Sequence, residues 1–369
     1  AFKNIQNIVY LDLSNNNITG DVLRSEIFRG PYKDGVYAKI AIETLNLGYN
    51  KIHSMDKDLF VYTPNLTRLY LNNNPMEILD HVTLIAISTA VNLEILDLAN
   101  TQIESIPLDA FKDLINLREI DLSGNKFTMV PESLRYVGDT LEYLSFNNNS
   151  IIELNDDSFV GLSSLKVLEI ADNEDLEEIK RSTFTPLTSL KTLHLCRNDM
   201  LRYISHTAFR GMKTHWTIKE VHLDDNNLRE LPGDLMPWQK LDVLTMSGND
   251  WLCNCDLANI IITQGAGKIF KKDEIPFCSS PSKLYGTLLT DIPVDNCPSD
   301  PDSAPKGSFL SNLRPKHILW SILGVALIVL IGMGFGLLVN TTKTFIQNRQ
   351  ADQSIRYVNL HTGINSSFA

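Results

Sequence analysis

The sequence LREIDLSGNKF, from Leu117 to Phe127, is the unit that decides the fold. Apolar residues occupy its first, fourth, sixth and eleventh positions, and Asn125 occupies the ninth. Self-similarity at a regular interval predicts a solenoid, because one repeat cannot bury its apolar face unless neighbouring repeats stack on it. The pattern recurs at intervals of 23 to 34 residues in ten copies, which begin at Ile8, Ile42, Leu66, Leu93, Leu117, Leu141, Leu165, Leu190, Ile218 and Leu241.

The ninth position carries Asn in nine of the ten copies, and the fourth copy has Thr101 there instead. We expect this residue where the chain turns out of a short strand. An amide both donates and accepts hydrogen bonds, so Asn satisfies backbone groups that the turn would otherwise leave buried and unpaired. An aliphatic side chain would not do this.

The second half of several repeats also agrees, with a small or hydroxyl residue before Phe, as in Ala110-Phe111 and Ser158-Phe159. The whole pattern resembles the typical extracellular leucine-rich-repeat family over residues 1 to about 252. That resemblance implies an α/β solenoid, a curved horseshoe whose concave face is a parallel sheet. Ala1-Phe2 fits the middle of a repeat, so we expect an N-terminal cap and a signal sequence to precede this chain.

Two stretches depart from the repeat length. The 34-residue interval contains Arg29-Gly30-Pro31-Tyr32-Lys33-Asp34-Gly35, which predicts an inserted loop. The long interval around Thr83 to Ala90 predicts a convex helix.

Four of the five cysteines, Cys253, Cys255, Cys278 and Cys297, lie close together after the last repeat. Such clustering predicts disulfides and an oxidising compartment, while a zinc site lacks its usual paired C-x₂-C knuckles here. Spacing alone leaves three pairings open. The segment 249–297 resembles the C-terminal cap of extracellular leucine-rich-repeat proteins, which implies the pairs Cys253–Cys278 and Cys255–Cys297.

A membrane anchor is predicted after this segment. Residues 298–317 are rich in Pro, Ser, Asp and Gly and predict a solvated stalk, and residues 318–339 are 22 residues without a charge. A buried soluble helix is the alternative. We predict one transmembrane helix in the plasma membrane, type I, with the ectodomain outside and residues 340–369 as a cytoplasmic tail. Gly332 and Gly336 form G-x-x-x-G, which permits a homodimer, although Gly is common in membrane helices.

Composition excludes other classes of protein. The net charge is −11, from 33 basic and 44 acidic residues, so the chain lacks the basic surface of a nucleic-acid binder. No catalytic motif is present, so we expect neither an enzyme nor a cofactor or metal. The acidity suits a basic extracellular protein ligand.

The concave face is the predicted ligand-binding surface. Its exposed third, fifth and seventh repeat positions carry three tyrosines and many acids, typical of a protein-binding surface, although the acids would also serve simply to solvate the strands. His194 and His222 occupy one position in successive repeats, and Cys196, the unpaired cysteine, lies beside them at an expected exposed edge. The candidate ligand-binding residues are Tyr10, Asp12, Arg68, Tyr70, Asp97, Glu119, Asp121, Tyr143, Glu169, Glu220 and Asp224.

Modification motifs complete the predictions. N-x-[ST] sequons outside the membrane predict glycosylation at Asn17, Asn65 and Asn148. The tail contains Tyr357-Val358-Asn359-Leu360, which resembles an endocytic signal and also a phosphotyrosine site for an SH2 adaptor, with a passive tail as the third alternative. Tyr357, Asn359 and Leu360 carry both motifs.

These features predict a single-pass cell-surface protein that serves adhesion or recognition by binding a protein on its concave face. An innate immune receptor, co-receptor or decoy is the first alternative, because Toll-type receptors share the repeats, although this chain lacks their signalling domain. An extracellular-matrix or epithelial organiser is the second. The sequence does not specify the ligand.

Overall fold

The computed structural model describes residues 2–271 and 273–294, all of which belong to one compact unit. Cys297, the predicted stalk, the predicted membrane span with Gly332 and Gly336, and the tail motif lie outside the described residues. Within the described part of the chain, no helix combines the length and apolar character needed to cross a membrane.

Fifteen strands occur in the described residues, most of them only three residues long: β1 (Tyr10–Asp12), β2 (Tyr32–Lys33), β3 (Val36–Tyr37), β4 (Thr44–Asn46), β5 (Arg68–Tyr70), β6 (Ile95–Asp97), β7 (Glu119–Asp121), β8 (Tyr143–Ser145), β9 (Glu153–Leu154), β10 (Val167–Glu169), β11 (Glu178–Ile179), β12 (Thr192–His194), β13 (Tyr203–Ile204), β14 (Glu220–His222) and β15 (Val243–Thr245).

The helices of residues 2–271 and 273–294 are few and short. Two of them are α-helices, α1 (His81–Thr89) and α2 (Cys255–Ala258), and a π-helix spans Asn259–Thr263. The 3₁₀ turns span Gly20–Val22, Glu132–Val137, Met212–His215, Trp238–Lys240, Ala266–Ile269, Ser282–Leu284 and Leu289–Asp291.

The ten repeats form one parallel sheet in the order β1-β4-β5-β6-β7-β8-β10-β12-β14-β15. The fourth position of every repeat is the central residue of its strand, and these residues lie in register, as Leu96 does with Ile120 and Ile120 with Leu144. Their side chains are buried, from 0% exposure at Leu96 to 7% at Leu11. The predicted α/β solenoid with a parallel sheet is therefore confirmed, and its core runs continuously through all ten repeats.

The ninth-position Asn makes the bonds expected from its chemistry. The Oδ1 atom of Asn125 accepts hydrogen bonds from the backbone N–H groups of Thr101 and Ile103 at 3.1 and 3.0 Å. Its Nδ2 atom donates to the carbonyls of Leu98 and Leu122 at 2.9 and 3.0 Å. Asn125 thus joins two repeats through buried backbone groups.

Thr101 performs part of this role in the fourth copy. Its hydroxyl donates to the carbonyl of Leu98 at 2.7 Å and contacts Asn125 Oδ1 at 3.0 Å. A hydroxyl has one proton, whereas the amide of Asn has two, so Thr101 satisfies fewer groups than Asn does elsewhere in the series.

The opposite side of the solenoid is built from the Phe residues of the second half-repeats. Phe159 stacks on Phe184 with ring centroids 6.1 Å apart, and Phe184 stacks on Phe209 at 4.8 Å. A small parallel sheet of β9, β11 and β13 lies in the same repeats. Helix α1 is found in the long interval where a helix was predicted, and the side chain of Asp80 caps it by accepting from the N–H of Thr83 at 2.7 Å.

The 34-residue interval holds more order than the predicted loop. Strands β2 and β3 pair as an antiparallel hairpin, and the residues between them, Asp34 and Gly35, both have positive φ. Such a two-residue turn matches the twist of a hairpin. The rings of Tyr32 and Tyr37 lie 4.9 Å apart on it.

A disulfide joins Cys253 and Cys278, as the family resemblance implied, with their Cα atoms 5.6 Å apart. The preceding Trp251 is fully buried, and its indole N–H donates to the carbonyl of Met246 at 2.8 Å. This segment therefore packs on the last repeat and extends its core. Cys255 is also disulfide-bonded, but Cys297, its expected partner, lies outside the described residues.

Candidate binding surface on the parallel sheet

The third and fifth positions of the repeats flank the buried central residue of each strand, so their side chains leave the core on the same side. We call these two rows together the sheet face. The third-position row contains Tyr10, Thr44, Arg68, Ile95, Glu119, Tyr143, Val167, Thr192, Glu220 and Val243. The fifth-position row contains Asp12, Asn46, Tyr70, Asp97, Asp121, Ser145, Glu169, His194, His222 and Thr245.

Ten of the eleven predicted ligand-binding residues lie in these two rows, and the eleventh, Asp224, lies just beyond its strand. The rows carry six carboxylates and one cation, Arg68. Tyr10, Asp12, Arg68 and Glu119 are exposed, whereas the remaining members of the predicted set in these rows are half-buried. The register of the strands brings the predicted residues together on one surface.

The centre of the sheet face is acidic. Asp97 and Asp121 are register partners on adjacent strands, so two carboxylates lie side by side. Burial raises the pKa of Asp97 to about 6, a hydrogen bond from the N–H of Ala99 opposes this rise, and the charge of Asp121 adds to it. The face therefore holds a carboxylate whose ionised form is disfavoured by its own surroundings.

The fifth-position acids also have a structural role, which the repeat pattern did not reveal. The Oδ1 atoms of Asp12, Asp97 and Asp121 accept hydrogen bonds from the backbone N–H groups two residues later, at 2.8, 2.9 and 2.8 Å. Each carboxylate thereby caps the turn that ends its strand. One oxygen of each carboxylate therefore holds the turn.

A second polar cluster follows on the next repeats. Glu169 accepts a hydrogen bond from Asn147 Nδ2 at 2.7 Å, and Asn147 in turn accepts from the N–H of Ala171 at 2.7 Å. Burial and then the neighbouring Glu169 and Asp121 raise the pKa of the Tyr143 phenol, which hydrogen-bonds to Glu169. Tyr143 is thus held in its neutral form with its ring on the face.

At the N-terminal end of the face, Tyr10 is 59% exposed and its hydroxyl contacts Asp12 at 3.4 Å. The charge of Asp12 is the main reason that the pKa of Tyr10 is raised. An exposed Tyr with a nearby carboxylate offers a partner both apolar area and hydrogen-bonding groups.

At the C-terminal end, His194 and His222 stack with ring centroids 4.4 Å apart and planes inclined by 7°. The Nδ1 atom of His222 is 3.0 Å from the hydroxyl of Thr245, and that hydroxyl donates to Asp224. Burial, followed by the neighbouring His194, lowers the pKa of His222. The described residues contain no group of three or more side chains placed to hold a metal ion.

The expectation that the seventh position is exposed was wrong in four of the ten repeats, where Gly48, Ala99, Ala171 and Cys196 are buried. The other six residues at this position are half-buried. Cys196 is a free, buried thiol rather than one at an exposed edge, and burial raises its pKa. Asp224 is half-buried, and it accepts from the N–H of Ser247 at 3.0 Å.

Sequence reasoning also missed the eighth position, which lies in the left-handed region in all ten repeats. Eight of these residues are Asn, Asp or Gly, the types that tolerate this conformation best, and that enrichment was a readable signal. Tyr49 and Arg197 are the two exceptions. The guanidinium of Arg197 binds both carboxylate oxygens of Asp172, at 2.7 and 2.8 Å.

The three predicted glycosylation residues, Asn17, Asn65 and Asn148, are all exposed. Asn17 and Asn148 lie in turns with φ of 54° and 53°. Their exposure is compatible with glycosylation, which stays a prediction.

Comparisons with known proteins agree with this architecture. Family profiles described as leucine rich repeat match residues 91–137 and 163–214, and another matches residues 7–27. Mouse chondroadherin is 38% identical over 84 residues, which are 23% of this chain and 22% of the relative. Lumican of Gallus gallus is 27% identical over 176 residues, which are 47% of this chain and 46% of the relative.

Among solved structures, a chain of the octameric complex of latrophilin 3, Unc5D and FLRT2 matches 79% of this chain and 91% of its own length. The TM-score is 0.54 at 22% identity, so the likeness concerns the fold. The chain spans between about a fifth and a half of the length of the two curated relatives. Together with the ten stacked repeats, these matches show that the chain carries leucine-rich repeats and has the fold seen in leucine-rich-repeat proteins.

Proposed function

We propose that this protein is an extracellular, membrane-anchored recognition module that binds a basic protein partner on its sheet face. The observation that carries the proposal is the in-register placement of Asp97 and Asp121 between Tyr70 and Tyr143 on that face. Adhesion or recognition at the cell surface is the role that this arrangement supports best.

The energetics of the two aspartates support a binding role. Burial and the neighbouring carboxylate make ionised Asp97 unfavourable, so the fold alone gains little from this pair. A cationic side chain from a partner would relieve the repulsion and restore a favourable environment for both charges. Tyr70 and Tyr143 flank the pair and supply contact area.

The cellular setting rests on different observations. Disulfide-bonded Cys253, Cys255 and Cys278 favour an oxidising compartment. The uncharged segment 318–339 supports a single membrane span, with the tail motif at Tyr357 on the cytosolic side. Glycosylation at the exposed Asn17, Asn65 and Asn148 belongs to the same proposal.

The structural neighbour supports a protein as the partner, because its fold occurs in an octameric complex with latrophilin 3 and Unc5D. A solenoid offers an extended surface suited to such contacts. The partner of this chain is defined only by its chemistry, a basic surface that accommodates two tyrosines.

The test is a binding screen with the full chain clustered on beads. The probes are cell-surface and secreted proteins of the source organism, matrix extracts and microbial surface polymers. A host protein that binds supports recognition. Binding confined to microbial polymers would favour the immune alternative, and binding confined to matrix would favour the organiser.

Site-directed variants then test the surface. The double variant Asp97→Lys/Asp121→Lys should weaken binding of the identified protein at least tenfold and reduce its dependence on salt. The matched control is Asp113→Lys/Asp175→Lys, which reverses two exposed acids outside the sheet face. Equal affinity of both double variants for the probe would refute this surface.

A further inference from the structure

A second surface lies immediately before the strands. The residue preceding each strand of the main sheet donates its backbone N–H to the carbonyl of the equivalent residue in the previous repeat, as Arg118 does to Glu94 and Glu142 to Arg118, at 2.8 and 2.7 Å. This file of residues, which we call the pre-strand row, contains Val9, Glu43, Thr67, Glu94, Arg118, Glu142, Lys166, Lys191, Lys219 and Asp242.

The row carries four acids and four bases in a chain whose net charge is −11. Its charges are unevenly placed, because Glu43 and Glu94 lie toward the N-terminal end and Lys166, Lys191 and Lys219 follow one another at the other end. Adjacent strands are about 4.8 Å apart, so these three ammonium groups share one short stretch of surface. Three consecutive like charges repel one another and favour nearby acidic groups.

Contacts within the chain neutralise only part of the row. Glu142 pairs with Arg118 at 3.2 Å and with Lys166 at 2.8 Å, and Asp242 pairs with Lys219 at 3.5 Å. Glu43, Glu94 and Lys191 form no ion pair among residues 2–271 and 273–294. The row residues left without an ion pair in the described part of the chain are thus Glu43 and Glu94 in one half and Lys191 in the other.

We infer that the pre-strand row is a self-complementary contact surface for a second copy of this chain, arranged antiparallel about a two-fold axis between Arg118 and Glu142. A two-fold axis at this point pairs each repeat with the repeat equally far from the axis in the other chain. Glu43 then faces Lys219, Glu94 faces Lys166, and Arg118 faces Glu142. Thr67 faces Lys191 and Val9 faces Asp242, so no like charges meet.

Other placements of the axis fit less well. If the axis passes through Arg118, half a repeat away, Arg118 faces Arg118 of the second copy and Glu94 faces Glu142. If the axis passes through Glu142 instead, Glu142 faces Glu142 of the second copy. An axis between Glu94 and Arg118 avoids like charges but matches only two opposite pairs per chain, against three for the proposed axis. The charge order therefore selects one register.

This surface is separate from the sheet face, so the inference does not depend on the proposed function. Asn65, a predicted glycosylation residue, lies two residues before Thr67 in the chain. The experiment therefore uses the full chain with the substitution Asn65→Gln, in mild detergent, with mass measured by sedimentation equilibrium at low and high salt.

Two charge reversals give the sharpest test. Glu43→Lys and Lys219→Glu each create like-charge contacts twice in a symmetric dimer, so each variant alone should associate at least tenfold more weakly than the parent chain. A mixture of the two variants restores both opposite pairs and should form a two-chain heterodimer. The double variant Glu43→Lys/Lys219→Glu should also recover the homodimer.

Glu104→Lys is the matched control, because Glu104 is exposed and outside the row. It should associate as the parent chain does. A parent chain that stays monomeric, including one that instead captures a sulfated polysaccharide on its lysines, would overturn the inference. Charge variants that dimerise as strongly as the parent chain would also overturn the inference. A dimer held together by its membrane helices would give that result.

Discussion

His194 and His222 stack in parallel on neighbouring strands, with ring centroids 4.4 Å apart. The groups facing the pair are Thr245, Asp224 and Glu220, with Lys271 adding a repulsive charge. Burial followed by His194 lowers the pKa of His222, so the neutral form of the His222 ring is the one that suits the folded chain. Protonation would place two positive charges face to face.

The first prediction concerns pH. An unfolded His takes up a proton near pH 6.5, whereas folded His222 does so only at lower pH, so the unfolded chain holds more protons in this window. The free energy of unfolding should therefore fall as pH drops below about 6.5. His222→Gln should gain stability relative to the parent chain as the pH falls from 7.5 to 5, measured by urea unfolding.

The exposed His206 supplies the control for this measurement. His206→Gln should follow the parent chain at every pH. If His222→Gln and the parent chain lose stability in parallel as the solution is acidified, the stacked pair does not control the pH dependence.

The second prediction concerns Asp97. Its pKa of about 6 exceeds the unfolded value of 3.8, so the folded chain holds a proton that the unfolded chain has released between these values. Stability from this group is therefore lost as pH rises from about 4 to 6. Asp97→Asn keeps an acceptor for Ala99 and removes the charge, and it should raise Tm at pH 7.5 by roughly 3 °C.

Asp12→Asn is the contrasting control for Asp97. Hydrogen bonds from Ser14 lower the pKa of exposed Asp12, so its ionised form already suits the fold. This substitution should lower Tm slightly. A lower Tm for Asp97→Asn as well would show that the ionised carboxylate of Asp97 stabilises the protein even without a bound partner.

The third prediction concerns the Asn series. Asn125→Ala would leave the buried N–H groups of Thr101 and Ile103 without their acceptor. The carbonyls of Leu98 and Leu122 would keep Thr101 and Asn149 as donors. Each unpaired N–H group costs about 1–3 kcal/mol, so the variant should lose roughly 2 kcal/mol or more. Urea unfolding followed by circular dichroism would measure the loss.

Asn116 provides the comparison for Asn125, because it donates one exposed hydrogen bond, to the carbonyl of Val91 at 3.0 Å. Asn116→Ala should change stability by about 0.5 kcal/mol or less. Similar losses in the two variants would mean that burial of the bridging amide is not what makes the ninth position matter.

Most of the fold could be predicted from the sequence, because the spacing of the apolar residues shows both which positions are buried and how long each repeat is. The positions of the ten strands and the bridging role of Asn125 follow from which residues must be inside. The turn-capping bonds of Asp97 and Asp121 did not follow, since an outward position does not specify a local hydrogen bond. The same pattern wrongly predicted that Cys196 is exposed, because the alternation of inward and outward side chains ends where the strand ends.

The residues of the sheet face could be predicted from the sequence, but their burial, contacts and pKa values could not. Register brings Asp97 beside Asp121, yet only the packing around them shows that burial dominates the pKa of Asp97. The stacking of His194 on His222 likewise needed side-chain orientations that no spacing specifies. Solvent exclusion and rotamers, rather than the repeat period, determine these properties.

The last prediction concerns the left-handed eighth position. Tyr49 adopts a φ of 54° with a 55% exposed side chain, a conformation that Asn tolerates better than an aromatic residue does. Tyr49→Asn should therefore stabilise the fold by about 0.5–1 kcal/mol. Gly124→Ala should act in the opposite direction at the equivalent position, because its φ is 64° and an added Cβ would meet Asn100 Oδ1 at 2.0 Å. We expect it to lose about 1 kcal/mol or more, with both changes read from urea midpoints. A destabilised Tyr49→Asn would show that the Tyr49 ring makes contacts worth more than the backbone conformation costs.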